Sequence, residues 1–470
     1  MKLGKVFSVV LSIGLLLPFS GQAQAMDEPT VRVELVTPFS SGSEEALTNL
    51  SFTIESNYII ENHPNVMLLA GQKYFVQIEN GTLSLYQYGS IGLPVPLLQG
   101  QSTIRAVPVI QEAKNSIIQV QGKSKSFKYR GAMEFQLGYK GTKPRIIPIN
   151  ELGMENYLKG VVPREMSASW EREALKAQAV AARTYAMRQM IAKHGAAIND
   201  TTQYQAYQGV SIEHPNSNAA VEETRGQVLS YNGELIEALY ASSNGGHSEA
   251  PENVWKNSKG APYLTAKPDP YDAKISPYKN WQETMTIAQL QEKLKNRTPA
   301  IGTIKKVEVK QTYPSGRIAD LMIEGDKGTV HLTKDEARSV LGLKSSLYHV
   351  QVNYNAPVSP KELLSAYNGV TTERKDIGSL TITNGTTEKT VAGSGLVLQG
   401  ADQKKTLDQG SSDPAVKPVS VTFIGSGWGH GVGMSQWGAR QMAKEGMNYQ
   451  DILQFYYAPA QISENYEAGN

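Results

Sequence analysis

Cysteine is absent from all 470 residues. That excludes disulfides, thiolate nucleophiles and thiolate-held zinc or iron–sulfur centres, so packing alone must hold the fold. Net charge is nearly absent too: 46 Lys and Arg against 44 Asp and Glu leave +2, too balanced to point to nucleic acid as a partner. Beyond the first 25 residues no apolar run is long enough to span a bilayer. The one early run, Val6 to Phe19, follows Lys2 and Lys5 and leads to Ala23-Gln24-Ala25. A span needs roughly 20 apolar residues, so 1–25 reads as a secretory signal peptide with a small-x-small cleavage site. A secreted or cell-envelope protein is expected, soluble outside the cytoplasm.

The length suits two or three domains of roughly 100–200 residues each, and 40% hydrophobic residues suffice for ordinary cores. Residues 26–126 alternate in short runs, such as Tyr74-Phe75-Val76-Gln77-Ile78 and Leu83-Ser84-Leu85-Tyr86, joined by Asn80-Gly81. Asn-Gly between alternating runs signals a hairpin. This part is expected to be a β-rich N-terminal domain with an accessory role. Residues 127–460 are mixed. Strand-like Ile146–Ile149 precedes a short helix over Met154–Leu158 ending at Gly160. A second hairpin, Gly226–Tyr231 with Glu234–Tyr240, turns at Asn232-Gly233. Strands are expected at Ile304–Gln311 and Ile318–Glu324, and helices over Lys334–Leu341 and Met434–Glu445. Residues 354–418, rich in Thr, Ser, Gly, Asp and Lys, read as an insertion in this domain with a β subdomain of its own. They include an expected Asn384-Gly385 hairpin and the loop Asp408–Pro414. The fold class is α+β: a mixed helix and antiparallel-sheet domain, a β-rich N-terminal domain and an inserted β subdomain.

Within residues 160–187, GVVPREMSASWEREALKAQAVAARTYAM, a lone acid, Glu165, sits on a turn that feeds an alanine-rich helix. Ser169 is the expected cap, Glu171 and Glu173 complement the helix dipole, and Gly195 is the expected stop. Leu175, Ala179, Ala182, Ala186 and Met190 form one narrow apolar stripe. Gln178, Arg183 and Tyr185 put polar groups on this packed helix and suggest a lined cleft. Two readings of Glu165 stand: a proton-transfer group, and a solvated carboxylate favoured near a helix N-terminus.

Two further stretches carry chemistry. In Tyr240–Glu249, Ser243, Gly245, Gly246 and His247 follow a strand; paired glycines admit a close ligand, and the hydroxyls and imidazole offer directional bonds. An ordinary polar turn has the same composition. Gly425–Arg440 alternates glycine around Trp428, His430, Ser435, Gln436 and Trp437. Flat aromatic faces beside hydrogen-bonding groups suit sugar rings; a glycine-rich turn with tryptophans in the core is the other reading. No register fits G-x-G-x-x-G, no H-E-x-x-H appears, and no G-x-S-x-G elbow occurs. Neither a metal site nor a cofactor is expected.

Together these stretches resemble the SpoIID/LytB family. The resemblance runs through Tyr157–Met166, Glu173–Tyr185, Ser243–His247, Ser315-Gly316-Arg317 and Gly427–Arg440, covering about Tyr129 to Tyr457 outside the insertion. It implies a peptidoglycan-active protein, a lytic transglycosylase with Glu165 as its catalytic acid, or a glycan-binding enhancer of a cell-wall amidase. Peptidoglycan glycan strands, and in the second case an amidase, would be the partners. Metal binding in some members involves cysteine, which this chain lacks. A lytic transglycosylase needs one carboxyl where a hydrolytic glycosidase usually needs two.

Overall fold

The computed structural model describes residues 28–40, 46–89, 92–109, 116–355 and 417–466, with short strands at 363–367, 372–376, 381–383, 388–390, 397–399 and 404–406. The expected signal peptide, the Asn384-Gly385 turn and the loop Asp408–Pro414 lie outside the described residues.

Alternating burial along the N-terminal strands, as in Asn49–Ile54, sends every second side chain inward and builds two facing sheets. One has six strands in the order 126–130, 117–121, 49–54, 73–79, 82–88 and 94–101. The other has seven, in the order 198–199, 30–34, 143–153, 132–140, 103–108, 58–60 and 63–68. Phe52 from the first stacks on Phe135 from the second with centroids 5.3 Å apart, so the two faces share one core. The first hairpin forms as expected, Lys73–Glu79 against Thr82–Tyr88, with Asn80 and Gly81 both at positive φ. The strands Ser126–Arg130, Ala132–Lys140 and Lys143–Gly153 belong to these sheets, which therefore run past the boundary expected at 126.

Ten helices follow among the described residues: α1 (Met154–Lys159), α2 (Val162–Glu165), α3 (Arg172–Ala192), α4 (Pro215–Glu223), α5 (Pro251–Val254), α6 (Pro270–Ile275), α7 (Ile287–Leu294), α8 (Glu336–Leu341), α9 (Gln436–Lys444) and α10 (Tyr449–Tyr457). The alanines of α3 let α4, α9 and α10 approach closely. From Ala174 to Thr184 every residue except Lys176 is buried, so this is a central helix and not one with a single narrow stripe. Its start also differs from expectation. The helix begins at Arg172 without a side-chain cap, because the Ser169 hydroxyl is shared with Ser167 at 2.9 Å. Gly195, at positive φ, closes the other end through its N–H to the Met190 carbonyl.

Three expected elements are shorter than expected, two of them through tertiary pairing. The strand over Glu234–Tyr240 stops after Leu235, because the Leu239 carbonyl is taken by the Met434 N–H and the Tyr457 hydroxyl. Tyr240-Ala241 then pairs in parallel with Met434-Ser435. That pairing delays the helix expected over Met434–Glu445 to Gln436, where Ser435 caps it through Gly438 N–H at 3.1 Å. Helix α8 begins at Glu336, after Lys334 takes positive φ.

A second core, including Trp281, Leu290, Ile318, Leu321 and Phe423, lies between α7, α8 and two three-stranded sheets. Strands Tyr348–Tyr354 and Pro418–Gly425 pair antiparallel within it, so the 354–418 segment leaves and returns on neighbouring strands. Inside that segment Leu363–Tyr367 pairs with Thr372–Asp376, Thr381–Thr383 with Glu388–Thr390, and Val397–Gln399 with Lys404–Thr406. The fold is α+β. No helix among the described residues is long and apolar enough to cross a membrane.

Candidate active site

Glu165 ends α2, a single turn opened by Pro163, whose fixed φ suits a helix start. Buried Val161, Val162 and Met166 anchor that turn. The residue keeps a partly exposed surface, yet its carboxylate is ringed by protein. Oε1 accepts the Ala206 N–H at 3.2 Å, and Oε2 accepts Nε2 of Gln436 at 3.3 Å. Burial raises its pKa, and the Ala206 amide, Gln436 and nearby Arg164 offset this only in part. Nε2 of Gln436 also reaches Oε1 of Gln178 at 3.3 Å, while Nε2 of Gln178 is buried without a partner.

Phenols complete the surroundings. Tyr157, Tyr185 and Tyr240 all lie within electrostatic reach of Glu165. Burial raises the pKa of each, that of Tyr185 to about 12, and the nearby carboxylate adds to this. Gln205 links two of them: it accepts from Tyr157 at 3.1 Å and donates to Tyr240 at 2.9 Å and to the Ala182 carbonyl at 3.1 Å. Thus α1, α2, α3, α9 and the segment 200–208 converge on one carboxyl. Beside Gln436, Trp437 packs on Trp170 at 4.7 Å, with the Arg440 guanidinium over both rings and held by Glu171 at 3.2 Å.

The structure therefore brings Glu165, Gln178, Tyr185, Gln436 and Trp437 together from widely separated stretches. Arg183 lies elsewhere. It is fully buried in an ion pair with Glu155 at 2.6 Å and donates to the Gln227 and Val221 carbonyls. Ser243, Gly245, Gly246 and Ser435 turn inward to the buried Asp272 of α6. Its Oδ2 accepts from the Ser243 hydroxyl at 2.9 Å and from the Gly245 and Gly246 amides at 2.9 and 3.1 Å. Its Oδ1 accepts the Ser435 hydroxyl at 2.6 Å. Burial raises the Asp272 pKa, and these donors counter it. The His247 ring sits 2.7 Å from the Ser248 carbonyl. His430 accepts the Val432 N–H at 3.0 Å and lies against Trp255; burial, aided by Arg338 and Arg317, lowers its pKa to about 3. Trp428 is 45% exposed, pinned through its backbone to Ser243 and flanked by Tyr278 at 4.8 Å.

Sequence reading did not single out Gln205, the Ala206 amide, Tyr157 or Tyr240 for this site, although Tyr157 and Tyr240 stood in the stretches quoted. The run Gln203-Tyr204-Gln205-Ala206-Tyr207 carried the available signal: amides and phenols with neither helical nor strand periodicity. It passed over Asp272, and Arg317 entered only as part of the quoted stretch Ser315-Gly316-Arg317. Arg317 reaches from the second core to donate to the Asn244 and His247 carbonyls at 2.6 and 3.3 Å, and burial lowers its pKa to about 10. Among the described residues no three His, Asp or Glu side chains are grouped to hold a metal ion.

Fold and site together define an α+β protein with a carboxyl whose pKa burial raises, set among amides and phenols. The chain belongs to the SpoIID family, whose description, Stage II sporulation protein, matches residues 142–231. A second match, Domain of unknown function (DUF8618), covers residues 264–368. The chain is 36% identical to the amidase enhancer of Bacillus subtilis over 64% of its own length and 39% of that protein's, so it spans well under half of that relative. It is 30% identical to an uncharacterized protein of Brachyspira hyodysenteriae over 70% of each chain. Similarity to the stage II sporulation protein D of Bacillus subtilis is 29% over 67% of this chain and 76% of that one.

Proposed function

We propose that this is an exported cell-envelope protein acting on peptidoglycan, and that Glu165 makes it a lytic transglycosylase of MurNAc–GlcNAc strands. One observation carries the reading: a carboxyl whose pKa burial raises and whose hydrogen-bond partners among the described residues are an amide side chain and a backbone N–H, neither of them a carboxylate. Two-carboxyl hydrolases need an acid and a base or nucleophile roughly 5–10 Å apart. Here the substrate supplies the nucleophile. Protonated Glu165 gives its proton to the bridging oxygen as the bond from that oxygen to the muramyl anomeric carbon breaks. The resulting carboxylate takes the proton of the muramyl 6-hydroxyl as O6 bonds to the same carbon, which closes a 1,6-anhydro ring and restores the acid. Burial keeps the acid form available, and the amides and phenols bind hydroxyls without adding charge. Trp428, 45% exposed, offers a face for a sugar ring.

Incubation of the full chain with intact and with peptide-stripped glycan strands, followed by mass spectrometry, tests this. New 1,6-anhydro ends are expected, and Glu165→Gln should lower their rate by roughly 10²–10⁴-fold. Undiminished release by that variant would remove Glu165 from the chemistry. The second reading, a non-catalytic glycan binder that stimulates a wall amidase, is favoured by the name of the 36% identical relative. It predicts binding with no new ends and faster stem-peptide release by an added amidase.

A further inference from the structure

The Ala206 amide that faces Glu165 lies in an irregular stretch, 200–208, between the strand Ile198-Asn199 and a short turn at Gly209–Ile212. The stretch's own backbone bonds, Tyr204 N–H to the Thr201 carbonyl at 3.1 Å and Tyr207 N–H to the Asp200 carbonyl at 3.3 Å, do not involve Ala206. Gln205 ties the stretch to the Ala182 carbonyl of α3 and Gln208 N–H ties it to the Gly160 carbonyl, and its other anchors lie in the N-terminal sheet unit. Ile198-Asn199 is an edge strand beside Val33-Glu34. The buried Asp200 carboxylate accepts Val36 N–H at 2.9 Å and Thr37 N–H at 3.0 and 3.1 Å. At the other end, the buried Tyr207 hydroxyl donates to Oδ1 of Asn150 at 2.7 Å. Nδ2 of Asn150 donates to the Arg130 and Ala132 carbonyls at 2.8 and 3.0 Å, which fixes that oxygen as the acceptor. The Tyr207 ring packs on Tyr129 and Tyr157, and Gly209 sits so close to the Lys128 carbonyl that a Cβ would lie 2.3 Å from it.

We propose that Asp200, Tyr207 and Asn150 are positioning residues through which the N-terminal sheet unit presents the Ala206 amide to Glu165. The unit is then a working part of the site and not an appendage. This rests on the reading of Glu165 given above. The other groups facing that carboxyl are Arg164 on its own turn, Tyr157 on α1, Tyr185 on α3, Tyr240, and Gln436 on α9. Of the Glu165 hydrogen bonds described, only the one from Ala206 comes from the segment tied to the sheets.

The test uses the full chain carrying Tyr207→Phe or Asp200→Asn. Tyr207→Phe keeps the ring packing and removes one hydrogen bond, and Asp200→Asn keeps the shape and removes the charge. Glutamate is labelled with ¹³C, and the Glu165 carboxyl signal is assigned by its absence in Glu165→Gln. As the amide retreats, the Glu165 titration should move up by roughly half a pH unit. Turnover should fall by roughly three- to ten-fold, the worth of one hydrogen bond, with KM nearly unchanged. Wild-type titration in a folded variant overturns the proposal; should one variant fail to fold, the other decides. The two ideas separate cleanly. A shifted titration with full lysis by Glu165→Gln leaves positioning standing and ends the catalytic reading. An unshifted titration with an inactive Glu165→Gln does the reverse.

Discussion

At the scale of the residue, Glu165 is an acid kept where ionisation is costly. Its pKa in the folded chain is raised, so the folded state holds its proton over a range of pH in which the unfolded chain, with a carboxyl near 4.5, has lost it. Stability therefore falls as pH rises through that range and stays reduced above it. Glu165→Gln removes the titration, and the Gln436 and Gln178 amides can invert to meet the new donor. The variant should melt higher than the wild type at pH 7–8, and the gain should vanish below about pH 4. Calorimetry across pH checks this, and a gain that grew in acid would contradict the sign. The opposite allocation holds at Arg183, where an ion pair with Glu155 serves the core and leaves no group for a ligand. Spacing could not distinguish these two polar residues near one helix, because only burial and partners separate them.

At the scale of the element, the loops around the site are built by close approach. The Gly431 backbone lies against Arg317, so a Cβ there would come within 2.1 Å of Nη2, at a φ of +77° that disfavours any side chain. Gly431→Ala should cost about 1–3 kcal/mol from backbone strain alone, with more from displacing a buried guanidinium. Urea denaturation would show the loss as a lower midpoint with unchanged slope; an unaltered midpoint would mean that the guanidinium moves freely. The hairpin at Asn80-Gly81 was legible in advance, because two adjacent positive-φ residues are a local property. The inward use of Ser243, Gly245, Gly246 and Ser435 was not. Their common partner, Asp272, is 29 positions from Ser243 and 163 from Ser435, on a helix whose Asp269-Pro270 start gives no sign of which loops its carboxylate meets.

At the scale of the whole molecule, two hydrophobic cores among the described residues divide the work. The first joins the N-terminal sheets to α1, α3, α9 and α10 and carries Glu165; the second carries the Arg317 brace and the stem of the 354–418 segment. Asn355 and Lys417 meet across that stem, with Asn355 N–H on the Lys417 carbonyl at 3.1 Å and Lys417 N–H on Oδ1 of Asn355 at 2.7 Å. Replacing 356–416 by a two-residue Asn-Gly turn should therefore leave the rest folded, with a melting temperature within a few degrees, roughly the effect of 1 kcal/mol. Loss of cooperative unfolding in that deletion would show that the segment contributes to the core.

The amino-acid sequence by itself determined the short-range features: the hairpin turns, the alanine-rich helix after a proline-started turn, and the isolated acid at its head. Each follows from backbone preferences and spacing within a few residues. Only the tertiary structure decided which groups face that acid. Gln436 arrives from 271 positions away and Ala206 from 41, and the raised carboxyl exists because long-range packing removes water from it. Desolvation depends on every segment that closes over a site, so no local pattern encodes it.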